Sequence, residues 1–173
     1  MTDPKQLIKD YCRESDHGAF SAFYRQQAPR LWRFLVARGC SQDAAYDLLS
    51  EAFARFIQVV CKDPRAPVAL LYRIAVNAHI DSYRRQTASP VHFDSDAVDA
   101  ATELSVEASD EHEYLRTVIG TLDEKEQNLL LMRYWIGLTH REVAEVLGLP
   151  PGTVRRQCAA AVKKLRQRWQ DEQ

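Results

Sequence analysis

Residues 138–157 read LTHREVAEVLGLPPGTVRRQ and contain the clearest structural pattern in the sequence. Thr139 followed by Glu142 is the capping-box pattern that begins a helix, because each side chain can accept a hydrogen bond from the other residue's backbone N–H. Gly148 stands where the chain must leave that helix with a positive φ. A longer helix is predicted after Pro150. A short capped helix, a glycine turn and a longer helix together predict a helix-turn-helix.

The longer helix has two faces of different character. Apolar and small residues recur at helical spacing on the face predicted to be buried, namely Val154, Cys158, Ala161, Val162, Leu165 and Trp169. The opposite face carries Gly152, Thr153, Arg155, Arg156, Ala159, Lys163, Arg166 and Gln167. An ordinary pair of packed helices does not require such a basic face, whereas a helix that enters the DNA major groove does.

The composition is that of an ordinary globular protein. Of 173 residues, 46% are hydrophobic and 27% are charged, and 6 Gly and 7 Pro are too few for a loop-rich all-β chain. No apolar run reaches the roughly 18 residues of a membrane-spanning helix, and the first residues are too polar for a secretory signal. We therefore expect a soluble, cytoplasmic protein with no membrane insertion. The four cysteines (Cys12, Cys40, Cys61 and Cys158) are far apart, so we expect reduced thiols and no metal site.

The net charge of −1 hides an uneven distribution. Residues 87–113 contain no Lys or Arg but eight acids, namely Asp94, Asp96, Asp99, Glu103, Glu107, Asp110, Glu111 and Glu113. The rest of the chain is therefore basic overall, which is typical of nucleic-acid binding but also compatible with ordinary surface charge. The pattern predicts an all-α protein of two small helical domains, residues 1–86 and 109–173, joined by a flexible acidic linker at 87–108.

The first domain contains an acidic stripe, which we define as Asp43, Asp47 and Glu51. These residues lie at i, i+4 and i+8 of a helix for which Ser41 is the predicted N-cap. Like charges at this spacing repel each other slightly, so helix stability does not explain them. The stripe is either a solvated surface or a docking site for a basic partner.

The following helix carries groups that can contact nucleic acid. Arg73, Asn77 and Arg84 share one outward face after the Pro-containing loop at residues 62–67, with Arg85, Tyr72 and Tyr83 near them. Arginine and asparagine hydrogen-bond base edges and phosphates, and tyrosine can stack on unpaired bases. Ordinary helix-surface polarity is the alternative reading of this face.

Three stretches resemble the extracytoplasmic-function (ECF) group of bacterial sigma-70 factors. Residues 47–53, DLLSEAF, resemble sigma region 2.2. DPRA at 63–66, followed by LYRIAVN at 71–77 and IDSYRR at 80–85, resembles regions 2.3 and 2.4. Residues 138–165, with GTVR at 152–155, resemble region 4.2. These stretches occur in the order expected for the family, with an acidic linker between them. The resemblance extends over nearly the whole chain.

The resemblance implies a sigma factor that binds core RNA polymerase and promoter DNA and performs no catalysis, with no cofactor. It implies core-polymerase contacts from Asp43, Asp47, Leu48 and Glu51. It implies contacts to the promoter −10 element from Lys62, Arg65, Arg73, Asn77, Arg84 and Arg85. It implies contacts to the −35 element from His140, Arg141, Gly152, Thr153, Arg155, Arg156 and Lys163. An anti-sigma factor is an expected partner, and residues 63–66 suggest the iron-uptake type.

A two-domain helix-turn-helix regulator that acts without core polymerase is the alternative function. Such a regulator would share the second domain, but it would need neither the acidic stripe nor the Arg73 and Asn77 face. Dependence on core polymerase distinguishes the two functions, since a regulator binds its operator alone and usually as a dimer.

Overall fold

The structure is a computed structural model that describes residues 2–88 and 117–172, and the described residues fall into two compact units. All of the regular secondary structure in these ranges is helical, which confirms the all-α prediction. The predicted linker lies outside the described residues apart from positions 87 and 88, which belong to the last helix of the first unit. No described helix is both long enough and apolar enough to cross a membrane.

The first unit is built from four α-helices: α1 (Pro4–Glu14), α2 (His17–Ala37), α3 (Gln42–Val59) and α4 (Pro67–Ala88). A 3-10 turn, Val60–Lys62, follows α3. Asp3, Asp16 and Ser41 cap α1, α2 and α3 by accepting hydrogen bonds from backbone N–H groups of the first turn. The N-cap predicted at Ser41 is therefore confirmed, and it fixes the point at which the acidic stripe begins.

Aromatic side chains fill the core of the first unit. The rings of Phe23 and Phe56 stack with their centroids 5.3 Å apart, which joins α2 to α3. Phe34 of α2 meets the Tyr72 ring of α4 edge-on at 5.6 Å. Tyr72 is 0% exposed, so its predicted place near the outward face of α4 is wrong. Tyr72 follows Leu71 on the inner side of α4, where burying a large ring stabilises the packing against α2.

The second unit contains a helical segment at residues 117–120, then α5 (Glu124–Leu130), α6 (His140–Leu147) and α7 (Pro151–Asp171). Thr139 and Glu142 form the predicted capping box at the start of α6. Gly148 ends α6 in the left-handed conformation, with φ of 66°. The short capped helix, the glycine turn and the longer helix are all present, which confirms the helix-turn-helix.

One turn of the second unit departs from regular helical geometry. Residues Leu131–Trp135 form a π-helical turn at the end of α5, where the Ile136 N–H donates to the Leu131 carbonyl at 2.9 Å. Both Tyr134 and Trp135 are exposed at this turn, whereas Leu131 and Met132 are buried. The capping box of Asp123 and Glu126 begins this helix, which ends in the widened turn.

The predicted buried face of α7 is buried in its first three turns, whereas Val162 and Leu165 further along are half-buried. Val154, Cys158 and Ala161 are buried, and Ala161 packs with Leu122 and Leu130. Trp169, however, is 48% exposed, so its assignment to the buried face is wrong. Helical periodicity places Trp169 on the same side as Ala161, but burial also requires a partner element beside that turn.

The expectation of four reduced thiols is also wrong. Cys12 of α1 and Cys61 of the 3-10 turn form a disulfide, with their Cα atoms 5.3 Å apart. Their sequence separation of 49 residues hid the pairing, because only packing of α1 against the 3-10 turn brings them together. Cys40 and Cys158 are free thiols.

Candidate polymerase-binding and DNA-binding surfaces

The acidic stripe lies on the outer side of α3. Asp43 and Asp47 are exposed, while Glu51 is half-buried and its carboxylate lies 2.5 Å from the Arg55 guanidinium one turn later. Leu48 is 6% exposed and belongs to the core of the unit, so the direct polymerase contact expected of it does not fit its buried position. The stripe thus presents carboxylates to solvent, whereas the Leu48 side chain holds the same helix in place from below.

An exposed aromatic side chain stands beside the stripe. Tyr46 is 57% exposed, and its ring lies 5.6 Å from the Trp32 ring of α2. Sequence reasoning missed Tyr46 as a surface residue of this region. Its spacing is the sequence signal that could have revealed it, because Tyr46 lies three residues after Asp43 and therefore on the same side of the helix.

The loop between the 3-10 turn and α4 is ordered by its own side chains. The Arg65 Nε and Nη2 atoms donate to the two Asp63 carboxylate oxygens at 2.7 and 2.8 Å. This contact lowers the pKa of Asp63 to about 2, because the charged hydrogen bonds favour the ionised carboxylate. Lys62 and Arg65 are both exposed, so the loop presents positive charge to solvent.

The predicted nucleic-acid face of α4 is accessible. Arg73, Asn77, Arg84 and Arg85 are all exposed, while Ala75 and Ala78 on the inner side are buried. Tyr83 is 60% exposed and offers a ring near the end of this face. Exposed cationic, amide and aromatic groups on one helix provide the donors and the stacking surface that single-stranded DNA requires.

The predicted DNA-binding side of the helix-turn-helix is also accessible. Gly152, Arg155, Arg156 and Lys163 of α7 are exposed, and Thr153 is half-buried. Arg156 donates to the Thr153 hydroxyl at 3.4 Å, one turn back on the same helix. On α6, Arg141 is exposed and His140 is half-buried. The structure therefore keeps every predicted −35 residue at or near the surface.

A charged contact anchors α7 to α5. The Lys164 ammonium forms an ion pair with Glu126, whose second carboxylate oxygen accepts the Asp123 backbone N–H at 3.2 Å. The same carboxylate therefore closes the capping box of α5 and binds α7. Within the described residues, no group of His, Cys, Asp and Glu side chains is arranged to hold a metal ion.

Two family models match the chain in the order that the motifs predicted. The model for sigma-70 region 2 matches residues 23–89, and the model for sigma-70 region 4 matches residues 112–165. The chain belongs to the sigma-70 family. The region 2 match contains the acidic stripe and the α4 face, and the region 4 match contains the helix-turn-helix.

Relatives of the ECF group support the same assignment. The chain is 28% identical to the ECF RNA polymerase sigma factor RpoE of Cereibacter sphaeroides, over 96% of this chain and 94% of that protein. It is 29% identical to the ECF RNA polymerase sigma factor SigC of Mycobacterium tuberculosis, over 83% of this chain and 79% of that protein. The solved structure of CnrH in complex with the cytosolic domain of CnrY has a TM-score of 0.73 at 20% identity, covering 99% of this chain and 100% of that one.

As an ECF sigma factor, the protein directs promoter-specific transcription initiation together with core RNA polymerase and promoter DNA. Sigma factors are initiation factors rather than enzymes. The surfaces described above are thus the places on this sigma-70 chain where polymerase and DNA contacts can be sought.

Proposed function

We propose that the first unit binds core polymerase through the acidic stripe and captures the unpaired −10 strand through α4. The exposure of the Asp43 and Asp47 carboxylates on one face of α3 supports the docking role. A basic polymerase surface would gain charge complementarity there, which sets both association rate and register. Leu48 supports this surface indirectly, because its buried side chain packs α3 against the core. Glu51 is proposed to extend the docking surface along α3.

The −10 surface would consist of the loop at residues 62–67 and the exposed face of α4. Its proposed contacts are Lys62, Arg65, Arg73, Asn77, Arg84 and Arg85. Asn77 is suited to reading a base edge, because an amide offers one donor and one acceptor group side by side. The arginines and Lys62 are suited to the phosphate backbone, which gives affinity without sequence information.

The second unit would place α7 in the major groove of the −35 element. Its proposed contacts are His140, Arg141, Gly152, Thr153, Arg155, Arg156 and Lys163. Arg155 and Arg156 stand in the second turn of α7, the end that reaches base edges in helix-turn-helix complexes. Lys163 lies about two turns further along and is proposed to contact phosphate.

We propose a first domain at 1–86, whose last helix α4 continues to Ala88, an acidic linker at 87–108 and a second domain at 109–173. The protein is proposed to act in the cytoplasm without a cofactor or catalytic residues. An anti-sigma factor is a proposed regulator, and the complex of CnrH with CnrY supports looking for one. The iron-uptake type, which rests on residues 63–66, stays a prediction.

One observation carries this proposal: a single chain presents an acidic face, an Arg and Asn face and a basic recognition helix, all exposed. The test is transcription in a reconstituted system with core polymerase, the full-length chain and genomic promoter fragments. Specific transcripts are expected only when core and this protein are both present. Tight, specific operator binding by the protein alone, as a dimer, would instead support a regulator that acts without polymerase.

A further inference from the structure

The disulfide joins two parts of the first unit that have different roles. Cys12 lies in the last turn of α1, whereas Cys61 lies at the centre of the 3-10 turn Val60–Lys62. The proposed −10 loop begins at Lys62, the residue after Cys61. The covalent link therefore ties one end of that loop to a helix that is not itself a proposed DNA contact.

The two disulfide-bonded residues are more exposed to solvent than Cys158 is. Cys61 is exposed and Cys12 is half-buried, whereas Cys158 is buried. Cys40 is half-buried, and its Sγ atom lies 3.3 Å from the His79 Nδ1 atom. Exposure is one of the conditions under which a disulfide exchanges with soluble oxidants and thiols.

The first unit does not depend on the disulfide alone to hold α1. Leu7 and Ile8 of α1 are buried, and Val60 of the 3-10 turn is 0% exposed. The Asp63 N–H also donates to the Val60 carbonyl at 3.2 Å. Because these apolar contacts and this hydrogen bond remain after reduction, the reduced protein is expected to keep its fold while losing one restraint on the loop.

We propose that Cys12 and Cys61 form a reversible oxidation site that couples the thiol redox state to binding of the −10 strand. This inference rests on the proposed role of residues 62–67 in that binding. A sigma factor works in the cytoplasm, which is reducing. Disulfides that form there are usually transient and redox-sensing. The expected oxidant class is a peroxide, and the expected reductant is a dithiol.

The proposed reaction is a two-electron conversion between two thiols and one disulfide, and it can proceed in both directions. The Cys61 thiolate attacks the O–O bond of hydrogen peroxide, which gives a Cys61 sulfenic acid and, after protonation of the leaving hydroxide, water. The Cys12 thiol then attacks that sulfur, and its proton leaves with the hydroxyl as a second water. Overall, two thiols lose two electrons and peroxide is reduced to two waters. A dithiol reverses this by forming its own disulfide as it returns the two Cys thiols.

Oxidation should increase affinity for the unpaired strand by holding the loop in place before DNA arrives. Restraining one or two side chains in their bound arrangement improves binding about threefold to tenfold. Only DNA binding should change, because the acidic stripe lies on α3, whereas the two cysteines lie on α1 and the 3-10 turn. Binding to core polymerase should therefore be equal in the oxidised and reduced states.

The experiment uses holoenzyme assembled from core and the full-length chain, oxidised with hydrogen peroxide or reduced with dithiothreitol. Affinity is measured for a single strand that carries the −10 element of a promoter this holoenzyme transcribes. Alkylation of the denatured chain, followed by mass measurement, reports the redox state: two labelled cysteines when oxidised and four when reduced. Cys12→Ser and Cys61→Ser should both hold the affinity at the reduced level whatever the treatment.

Cys40→Ser is the matched control, because it removes a thiol of the same unit outside the pair. Burial raises the pKa of Cys40 to about 11, so this thiol stays protonated and reacts slowly. The Cys40→Ser variant should keep the full redox response. Equal affinities in the two states, or a response that survives in Cys12→Ser, would overturn the proposal. If the unsubstituted holoenzyme shows the expected alkylation counts but binds the single strand in neither state, the DNA-binding role of the loop is contradicted, and this proposal with it.

Discussion

Arg55 holds the Glu51 carboxylate at 2.5 Å across one turn of α3, so part of the charge of the acidic stripe is already paired. Among the described residues, Asp43 and Asp47 make no ion pair of this kind. An incoming basic surface would have to compete with Arg55 at Glu51 but not at Asp47. We therefore expect Asp47 to contribute most of the stripe's attraction for a partner.

Reversing the stripe should abolish binding to core polymerase. Asp47→Lys with Glu51→Lys places two positive charges against the proposed basic surface, which is expected to weaken binding about a hundredfold or more. Asp47 is exposed, and the change at Glu51 removes only a partly exposed ion pair with Arg55, so the free energy of unfolding should change by no more than about 1 kcal/mol. Core binding is measured by fluorescence titration, and helix content by circular dichroism.

The matched control for this double variant is Asp10→Lys with Glu14→Lys on α1. It makes the same change in net charge at the same i, i+4 spacing but outside the stripe. Asp47→Asn should also weaken binding more than Glu51→Gln does. Retention of normal core affinity by the reversed stripe would refute the docking assignment.

Asn77 should distinguish −10 sequences. Asn77→Ala removes a proposed base-edge contact, which is worth about 1–3 kcal/mol, or about fivefold to 150-fold in affinity. Transcription from the preferred duplex promoter should fall while core binding is unchanged. Gln58→Ala, which removes an exposed amide from α3, is the control and should have no effect. An equal loss on every −10 variant would indicate a backbone contact instead.

The two parts of the recognition helix should respond differently to mutation. Arg155→Ala or Arg156→Ala should relax the preference at one or two −35 positions, because each arginine can bind a guanine through two hydrogen bonds. Lys163→Ala should weaken all −35 sequences alike and reduce the salt dependence of binding by about one counterion. Holoenzyme binding to a panel of −35 variants at two salt concentrations measures both effects.

Lys125→Ala serves as the control for these variants, since Lys125 is an exposed lysine on α5 outside the proposed interface. It should change neither the preference nor the salt dependence. A uniform loss of affinity in the Arg155 and Arg156 variants would mean that α7 does not read bases through them.

We expect glycine to be required at position 148 because of its backbone conformation and not because a larger side chain would clash. A Cβ at Gly148 would meet nothing within 4 Å, but the φ of 66° is unfavourable for an L side chain. Gly148→Ala should therefore destabilise the second unit by about 1–2 kcal/mol. Gly148→Asn should cost less, because asparagine tolerates this conformation better. Chemical denaturation followed by tryptophan fluorescence measures both, and equal stability of the alanine variant would contradict the geometry of the turn.

The contact between Asp63 and Arg65 should be visible in a titration. The Asp63 carboxyl should titrate at about 2, and Arg65→Ala should move it back toward its ordinary value of 3.8. Because the pKa is lower in the folded state, the contact stabilises the fold above the unfolded pKa and is lost as the pH falls from about 4 toward 2. Carboxyl-carbon NMR measures the shift. A normal pKa in the unsubstituted protein would show that the two side chains do not interact in solution.

The helix ends and the exposed helix faces of this protein can be predicted from the sequence, because the patterns that specify them are local. The capping residues Ser41, Asp123 and Thr139 and the left-handed Gly148 act within one or two turns of their own backbone. Helical periodicity likewise separated the exposed Arg73 and Asn77 from the buried Ala75 and Ala78. Such features depend on neighbours three or four residues away, which the sequence places without any knowledge of the fold.

Features that join distant segments of the chain depend on how its helices pack together. The Cys12–Cys61 disulfide needs α1 beside the 3-10 turn, and burial of Tyr72 needs Phe34 of α2 next to its ring. Trp169 has the periodicity of a core residue but is half-exposed, since a helix face is buried only where another element covers it. Periodicity specifies which side of a helix is apolar, whereas the packing of other elements determines how much of that side is removed from water.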